Sequence, residues 1–150
     1  MKTFTMPEKD EYLTRYFDVM HQTTTINFSR TPMFRDSVGA HSCVVVLTSS
    51  GIVGTHSHLT VSDDPNLFAR NLSEHTGPAP TILVGGWGKH KYSRLLFEIL
   101  QTTLPEYGFT LSDHDVLGDS VRHTTLLYDR VVINKLSIQN KSWETNELFF

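Results

Sequence analysis

Two strand-like stretches joined by a turn constrain the fold of this chain more than any other feature. Residues 44–47 read Val-Val-Val-Leu, and residues 52–59 have strand-like composition again. Between them lies the turn cluster Ser49-Ser50-Gly51. β-Branched runs favour strands, and a short polar turn with glycine favours an antiparallel return of the chain. The sequence therefore predicts a β-hairpin, and its apolar composition indicates a central place in the fold.

Three segments have the apolar spacing of amphipathic helices. Residues 8–21 and residues 92–104 each carry apolar side chains at i, i+3 and i+4 spacing. Residues 63–75 predict a shorter helix with Asp63 or Asp64 as its N-cap. In the helix at residues 92–104, the apolar stripe consists of Leu95, Leu96, Ile99, Leu100 and Leu104.

The rest of the chain predicts short strands and two poorly structured segments. Residues 22–36 are interpreted as a linker with a short β-like piece around Ile26 and Phe28, and residues 137–150 as a loosely held tail. Strands that alternate with a few helices indicate an α/β or α+β fold, and periodicity alone leaves both open. The predicted further strands are residues 81–84, 109–111, 124–128 and 131–136.

Length and composition narrow the class of protein. The chain has 150 residues, of which 39% are hydrophobic, and a formal net charge of −3. This length fits one domain over residues 1–150, and the charge lacks the basic excess that nucleic-acid binding needs. A single cysteine excludes an internal disulfide framework, and no apolar run has the length of a secretory signal or membrane span. We expect a monomer in the reducing cytosol, with no nucleic-acid partner and no membrane insertion; delivery into a host cell as an effector is the alternative localisation.

The single cysteine, Cys43, lies at the head of the predicted hairpin, with His41, His56 and His58 near it in the sequence. A thiolate can attack a carbonyl carbon, and an imidazole near the sulfur can take the thiol proton. Residues two apart on a strand share a face, so His56 and His58 should project together. Across a hairpin, one of these imidazoles can meet the sulfur. The pattern is compatible with nucleophilic catalysis by Cys43 with a histidine base.

Two other interpretations of the same residues stay open. Cysteine is among the most buried residue types, so Cys43 before three valines also fits a core position. Alternatively, His56 and His58 could bind a divalent metal together with His41 or Asp63. No further cluster of ligands follows at a recognisable spacing, which weakens the metal interpretation.

A glycine-rich stretch, Gly85-Gly86-Trp87-Gly88, follows the predicted strand at residues 81–84. Together with the basic residues after it, the stretch could cradle an anion at the start of a helix. It lacks the spacing of a phosphate-binding P-loop. We interpret it as a tight turn.

Residues 37–59 resemble the signature of the chemoreceptor glutamine deamidases, the CheD family, and more distantly the catalytic domains of cytotoxic necrotizing factor toxins. The family pattern has a threonine before Gly-Ser-Cys, then a strand, and then Gly-x-x-x-His. A weaker likeness extends over residues 36–137 and includes Val84-Gly85-Gly86 and residues 118–122. In this sequence Ser37 stands at the threonine position, His41 stands at the glycine position, and Ser42, Cys43, Gly54 and His58 match the pattern.

The resemblance implies a fold, a reaction and a set of roles. The fold expected is an α+β layered α/β/β sandwich, and the reaction is conversion of a glutamine side chain on a protein substrate to glutamate, with release of ammonia. It implies Cys43 as nucleophile, His58 as base and Ser37 as the residue that orients His58. Neither a cofactor nor a metal is expected. Transglutamination, amide hydrolysis of a small molecule and a catalytically degenerate protein-binding module are the alternatives. The residues expected to line the site or its oxyanion hole are Ser42, His41 and His56.

Overall fold

The computed structural model describes residues 23–27, 33–36, 44–60, 63–137 and 139–150. These residues form nine strands and two helices. The strands are β1 (Thr23–Asn27), β2 (Met33–Asp36), β3 (Val44–Ser49), β4 (Val53–Leu59), β5 (Pro80–Gly85), β6 (Thr110–Val116), β7 (Ser120–Leu126), β8 (Arg130–Ser137) and β9 (Trp143–Phe149). The helices are α1 (Pro65–Thr76), between β4 and β5, and α2 (Lys91–Glu106), between β5 and β6.

The first sheet has five strands in the order β1-β4-β3-β5-β6. Strands β3 and β4 form the predicted hairpin, and β3 also pairs antiparallel with β5. Among the described strands, β5 and β6 are the only parallel pair, and α2 makes the crossover between them. The carboxyl ends of β4, β5 and β6 therefore lie at one edge of the sheet, together with the amino end of β3.

The second sheet has four antiparallel strands in the order β2-β7-β8-β9. Strands β7 and β8 pair over their whole length, from Ser120 opposite Ser137 to Leu126 opposite Val131. Strand β9 then pairs with β8, from Leu136 opposite Trp143 to Arg130 opposite Phe149.

Alternate side chains of β3 enter two different hydrophobic clusters. Val45 and Leu47 pack with residues of β5, β7 and β8, which places the second sheet on one face of the first. Val44 and Val46 pack with residues of α1 and α2, which places the helices on the other face. A strand that is buried on both faces needs a continuous apolar run, and this explains the Val-Val-Val-Leu sequence. The described part of the chain is an α+β structure with the first sheet between the helices and the second sheet.

Both described helices follow from local sequence. The Asp64 side chain accepts hydrogen bonds from the backbone N–H groups of Asn66 and Leu67, and Pro65 occupies the first turn of α1. These contacts confirm the predicted cap. In α2, the buried part of the predicted stripe is Leu96, Leu100 and Leu104, whereas Leu95 and Ile99 are substantially exposed.

Two interpretations of the sequence are wrong. The sequence predicts a linker over residues 22–36 with a β-like piece around Ile26. Ile26 lies in β1 as predicted, but β1 and β2 pair with strands of different sheets, so the segment does not merely link. The sequence also predicts a loose tail over residues 137–150, but β9 pairs with β8 from Arg130 to Leu136, and Leu148 and Phe150 pack against the core between the sheets. In both segments the strands form because they pair with strands that are distant in the sequence, and local composition does not indicate such pairing. The predicted helix at residues 8–21 lies outside the described residues.

Candidate active site

His56 and His58 lie side by side on β4. Their ring centroids are 4.7 Å apart, with the ring planes tilted by 58°. The extended strand places both imidazoles on one face, as the sequence predicts. Both are buried, with 2% and 4% of their surface exposed. Neither imidazole is therefore a surface side chain.

The two imidazoles belong to the face of the first sheet that contacts the second sheet. His58 is paired with Val45 and His56 with Leu47, and both partners belong to the cluster between the sheets. The His56 Nε2 atom lies 3.5 Å from the Thr124 hydroxyl of β7. Contact with a hydroxyl across the interface gives a buried imidazole a polar partner.

The amino end of β3 lies between the carboxyl ends of β4 and β5. Val44 is paired with Leu59 on one side and with Gly85 on the other. Gly85 and Gly86 have φ angles of 111° and 77°, so a sharp turn ends β5 at this point. A Cβ atom on Gly86 would lie 3.6 Å from Val44 Cγ2 and 3.3 Å from Ser93 Cβ. The absence of a side chain lets the turn pack closely beside the start of β3.

The other predicted site residues lie outside the described residues. These are Ser37, His41, Ser42 and Cys43, which directly precede β3 in the chain. The structure therefore gives positions for His56 and His58 and for the strand that begins one residue after Cys43. It gives none for the thiol or for the predicted orienting and oxyanion residues.

A cavity of about 180 Å³ opens at the carboxyl end of β4. His58 and Leu59 line it from the strand, and Asp63, Leu67 and Phe68 are among the residues that line it from the segment leading into α1 and from α1 itself. Asp63 accepts a hydrogen bond from the backbone N–H of Thr60 and so fixes the turn after β4. The edge of the sheet that carries His58 is thus next to a concave surface, which a substrate side chain needs.

A buried arginine that the sequence analysis did not identify supports the same edge. Arg122, on β7, has 1% of its surface exposed. Its Nε atom donates to Asp115 Oδ1 at 3.0 Å, and its Nη1 atom donates to the carbonyl oxygens of Gly86 at 3.3 Å and Ser120 at 3.1 Å. Lys135 Nζ lies 3.1 Å from the other Asp115 oxygen. Arg122 therefore ties the second sheet to the turn beside Val44.

The glycine-rich stretch forms a tight turn, as its sequence predicts. The backbone N–H of Gly88 donates to the Gly118 carbonyl at 3.1 Å, and the N–H of Leu117 donates to the Gly85 carbonyl at 3.0 Å. A Cβ atom at Gly88 would overlap the Leu117 carbonyl oxygen. These bonds close the loop after β5 onto the loop after β6.

Metal binding has no further support in the described ranges. Within residues 23–27, 33–36, 44–60, 63–137 and 139–150, no group of three or more histidine, cysteine, aspartate or glutamate side chains could hold a metal ion.

In the same part of the chain, no helix has the length and apolar character needed to cross a bilayer.

No protein-family model matches the chain, and no curated protein is significantly similar to it.

Proposed function

We propose that the chain is a cysteine-dependent protein-glutamine deamidase with Cys43 as nucleophile and His58 as base. The observation that carries the proposal is the register of the first sheet. The strand that begins directly after the only cysteine lies between the strand of His58 and the strand that ends in Gly85, and Val45 is opposite His58. Residues 43 and 45 are two positions apart, which is the spacing at which side chains of an extended chain share a face.

The order of layers supports the related proposal for the fold. The helices, the first sheet and the second sheet follow one another in space, and the cysteine precedes a central strand beside a glycine turn. This arrangement agrees with the α/β/β sandwich that the resemblance to the CheD family and the necrotizing factor toxins implies. We therefore propose that fold type for this chain.

The reaction needs a thiol, one imidazole and a water molecule. His58 takes the proton from the Cys43 thiol, and the sulfur attacks the carboxamide carbon of a substrate glutamine. The tetrahedral intermediate collapses as the imidazolium gives its proton to the departing nitrogen, which leaves as ammonia. A water molecule then gives a proton to His58 and attacks the thioester, which releases glutamate and restores the thiol.

The remaining predicted residues have supporting roles in the proposal. Backbone N–H groups near Ser42 and Cys43 hold the oxyanion, and Ser37 orients the His58 ring through its hydroxyl or its carbonyl. His41 adds polarity at the mouth of the site. His56 is a buried neighbour of His58 with a contact to Thr124, so we assign it to the support of the β4 strand rather than to proton transfer.

The substrate in this proposal is a protein with an exposed glutamine, either a bacterial chemoreceptor or a host protein. Conversion of glutamine to glutamate adds one negative charge to the target, and this can alter its packing or its affinity for a partner. The enzyme acts in the cytoplasm, of the producing cell or of a host cell. It uses no cofactor.

The proposal is tested by incubating the wild-type chain with peptides and proteins that have an exposed glutamine. Mass spectrometry detects the mass gain when a side-chain amide becomes a carboxylate, and an enzymatic assay detects ammonia. We expect Cys43→Ser to abolish both signals without loss of fold. His58→Ala should lower the rate by about 10²–10⁴-fold, the range for general acid–base catalysis. His114, an exposed histidine on β6, provides the matched control: His114→Ala should leave the rate unchanged.

The outcomes separate the alternatives. Equal activity in Cys43→Ser would remove the thiol mechanism. A larger loss in His56→Ala than in His58→Ala, with both variants folded, would move the base to position 56. Incorporation of an added amine instead of release of glutamate would identify a transglutaminase. A protein partner bound without any change in mass would favour the binding module.

A further inference from the structure

A second cavity lies at the open side of the two sheets, where the carboxyl end of β6 meets the amino end of β7. Its volume is about 420 Å³, and its lining is mostly polar. Arg122, Asp115 and Lys135 are largely buried charged side chains of its lining and are called its base here, whereas Glu144 is 64% exposed; Asp119 also lines the cavity. A cavity of this size accommodates a long side chain together with part of its backbone.

The base of the cavity is a compensated ion-pair network. Asp115 receives Arg122 Nε on one carboxylate oxygen at 3.0 Å and Lys135 Nζ near the other at 3.1 Å. Lys135 Nζ also lies 3.2 Å from Glu144 Oε1. Both cationic groups therefore have carboxylate partners, and an incoming anion would have to compete with these carboxylates for them.

The charge balance of the cavity is negative by one. Arg122 and Lys135 contribute two positive charges, and Asp115, Asp119 and Glu144 contribute three negative charges. Asp119 accepts a hydrogen bond from the Ser120 hydroxyl at 3.5 Å, and within the described residues it makes no ion pair. Its carboxylate is the one charge of the cavity without a cationic partner in that part of the chain.

We propose that this cavity binds a basic side chain, arginine or lysine, of the protein substrate. The Asp119 carboxylate accepts hydrogen bonds from the cationic group, and the hydroxyls of Ser120 and Ser142 at the lining supply further acceptors. An organic cation fits better than a metal ion, since no metal-binding group of side chains is present among the described residues. The occupant is therefore a basic residue near the target glutamine in the substrate chain.

This inference rests on the proposed function, because it links the cavity to the Cys43–His58 edge. Arg122 forms part of the cavity and also donates to the Gly86 carbonyl, and Gly86 packs against the start of β3. Val116, the last residue of β6, and Gly118 shortly after it also line the cavity, and β6 is parallel to β5. A peptide that places its glutamine at the start of β3 can thus place a neighbouring residue in the cavity.

A set of blocked peptides with a single glutamine tests the preference. One arginine is placed in turn at each position around the glutamine, and matched peptides carry citrulline or glutamate there. Citrulline keeps the shape of arginine without its charge. At the productive position we expect the arginine peptide to have about threefold to tenfold higher kcat/KM than the citrulline peptide, as a partly exposed charge-assisted contact gives.

Variants of the chain assign the preference to the cavity. Asp119→Asn should lower kcat/KM on the arginine peptide until the arginine and citrulline peptides are equal. The control is Asp113→Asn, which removes an exposed carboxylate of β6 outside this cavity and should keep the preference. An unchanged preference in Asp119→Asn, or the same loss in Asp113→Asn, would overturn the proposal. Faster turnover of the glutamate peptide would show that Arg122 and Lys135 attract an anion instead.

A binding measurement keeps the cavity testable if no peptide is deamidated. The full-length Cys43→Ser variant, labelled with nitrogen-15, is titrated with the arginine and citrulline peptides. Shifts confined to residues 115–120 and 135–144, and present for arginine only, would support the cation site even if the deamidase proposal fails. Equal shifts for both peptides, or shifts elsewhere, would overturn the site whether or not deamidation occurs.

Discussion

Replacement of Arg122 by methionine is the perturbation whose effect on stability follows most directly from the structure. Methionine keeps most of the length and apolar volume of the arginine stem but removes the guanidinium. The variant loses the bond to Asp115 and the donors to the Gly86 and Ser120 carbonyls. Asp115, which is 12% exposed, keeps Lys135 as a cationic partner.

The free-energy cost of losing each kind of contact falls in a known range. A hydrogen bond to a charged group contributes about 1.5–3 kcal/mol, and a buried polar group without its partner costs about 1–3 kcal/mol. Neighbouring losses are not additive. We therefore expect Arg122→Met to lower the free energy of unfolding by about 3–5 kcal/mol, the range for removing one partner of a buried ion pair.

Denaturation in urea, followed by circular dichroism, measures this change, with the slope m compared between variants. The matched control is Arg130→Met. Arg130 also has carboxylate partners, Asp129 and Glu147, but its side chain is 35% exposed. Its loss should cost about 0–1 kcal/mol, as surface ion pairs do. Equal destabilisation by the two substitutions, or a loss below about 1 kcal/mol for Arg122→Met, would refute the argument from burial.

Three further substitutions test how particular residues hold the fold. Gly88→Ala should lower the thermal midpoint more than Gly51→Ala, because a Cβ at Gly88 overlaps the Leu117 carbonyl, whereas the space around Gly51 is open and only its positive φ of 89° opposes a side chain; equal midpoints would contradict this. Leu100→Ala, at a fully buried position of α2, should cost about 2–5 kcal/mol in urea denaturation. Asp64→Ala should cost about 1 kcal/mol through loss of the α1 cap while Asp64→Asn stays near wild type, and equal losses would show that the cap is not the cause.

The elements that the sequence predicts well are those whose signals are local. The hairpin of β3 and β4 follows from a β-branched run and an adjacent turn, and the structure confirms it from Val44 opposite Leu59 to Ser49 opposite Gly54. The N-cap of α1 also depends only on residues within one turn of the helix. The shared face of His56 and His58 follows from the two-residue repeat of a strand.

The elements that the sequence predicts poorly depend on distant partners. Strand β9 is mostly polar and exposed, and its order comes from pairing with β8. The predicted strand at residues 109–111 extends to Val116 as β6, although β6 is polar, because it pairs in parallel with β5 across a helix. An exposed edge strand lacks the apolar alternation that periodicity detects.

The candidate site likewise has features that the sequence predicts and features that depend on distant residues. The spacing of the histidines could be predicted, but their depth between two sheets could not, because the second sheet is built from residues far along the chain. Arg122 was missed for a related reason. A charged residue argues against a buried strand, and the predicted strand accordingly began at Thr124, although β7 begins at Ser120. The contacts that satisfy the buried guanidinium, with Asp115 and with the carbonyls of Gly86 and Ser120, arise only in the three-dimensional structure.

The rate at which iodoacetamide alkylates the single cysteine tests the central claim without any knowledge of the substrate. Because the chain has one thiol, the mass of the intact protein reports on Cys43 alone. We predict that the folded wild-type protein reacts at neutral pH faster than a free cysteine peptide, and that His58→Ala slows the reaction while His114→Ala does not, because an adjacent imidazole favours the thiolate. A thiol that reacts only after denaturation, or at the same rate in wild type and folded His58→Ala, would contradict the proposed pairing of Cys43 with His58.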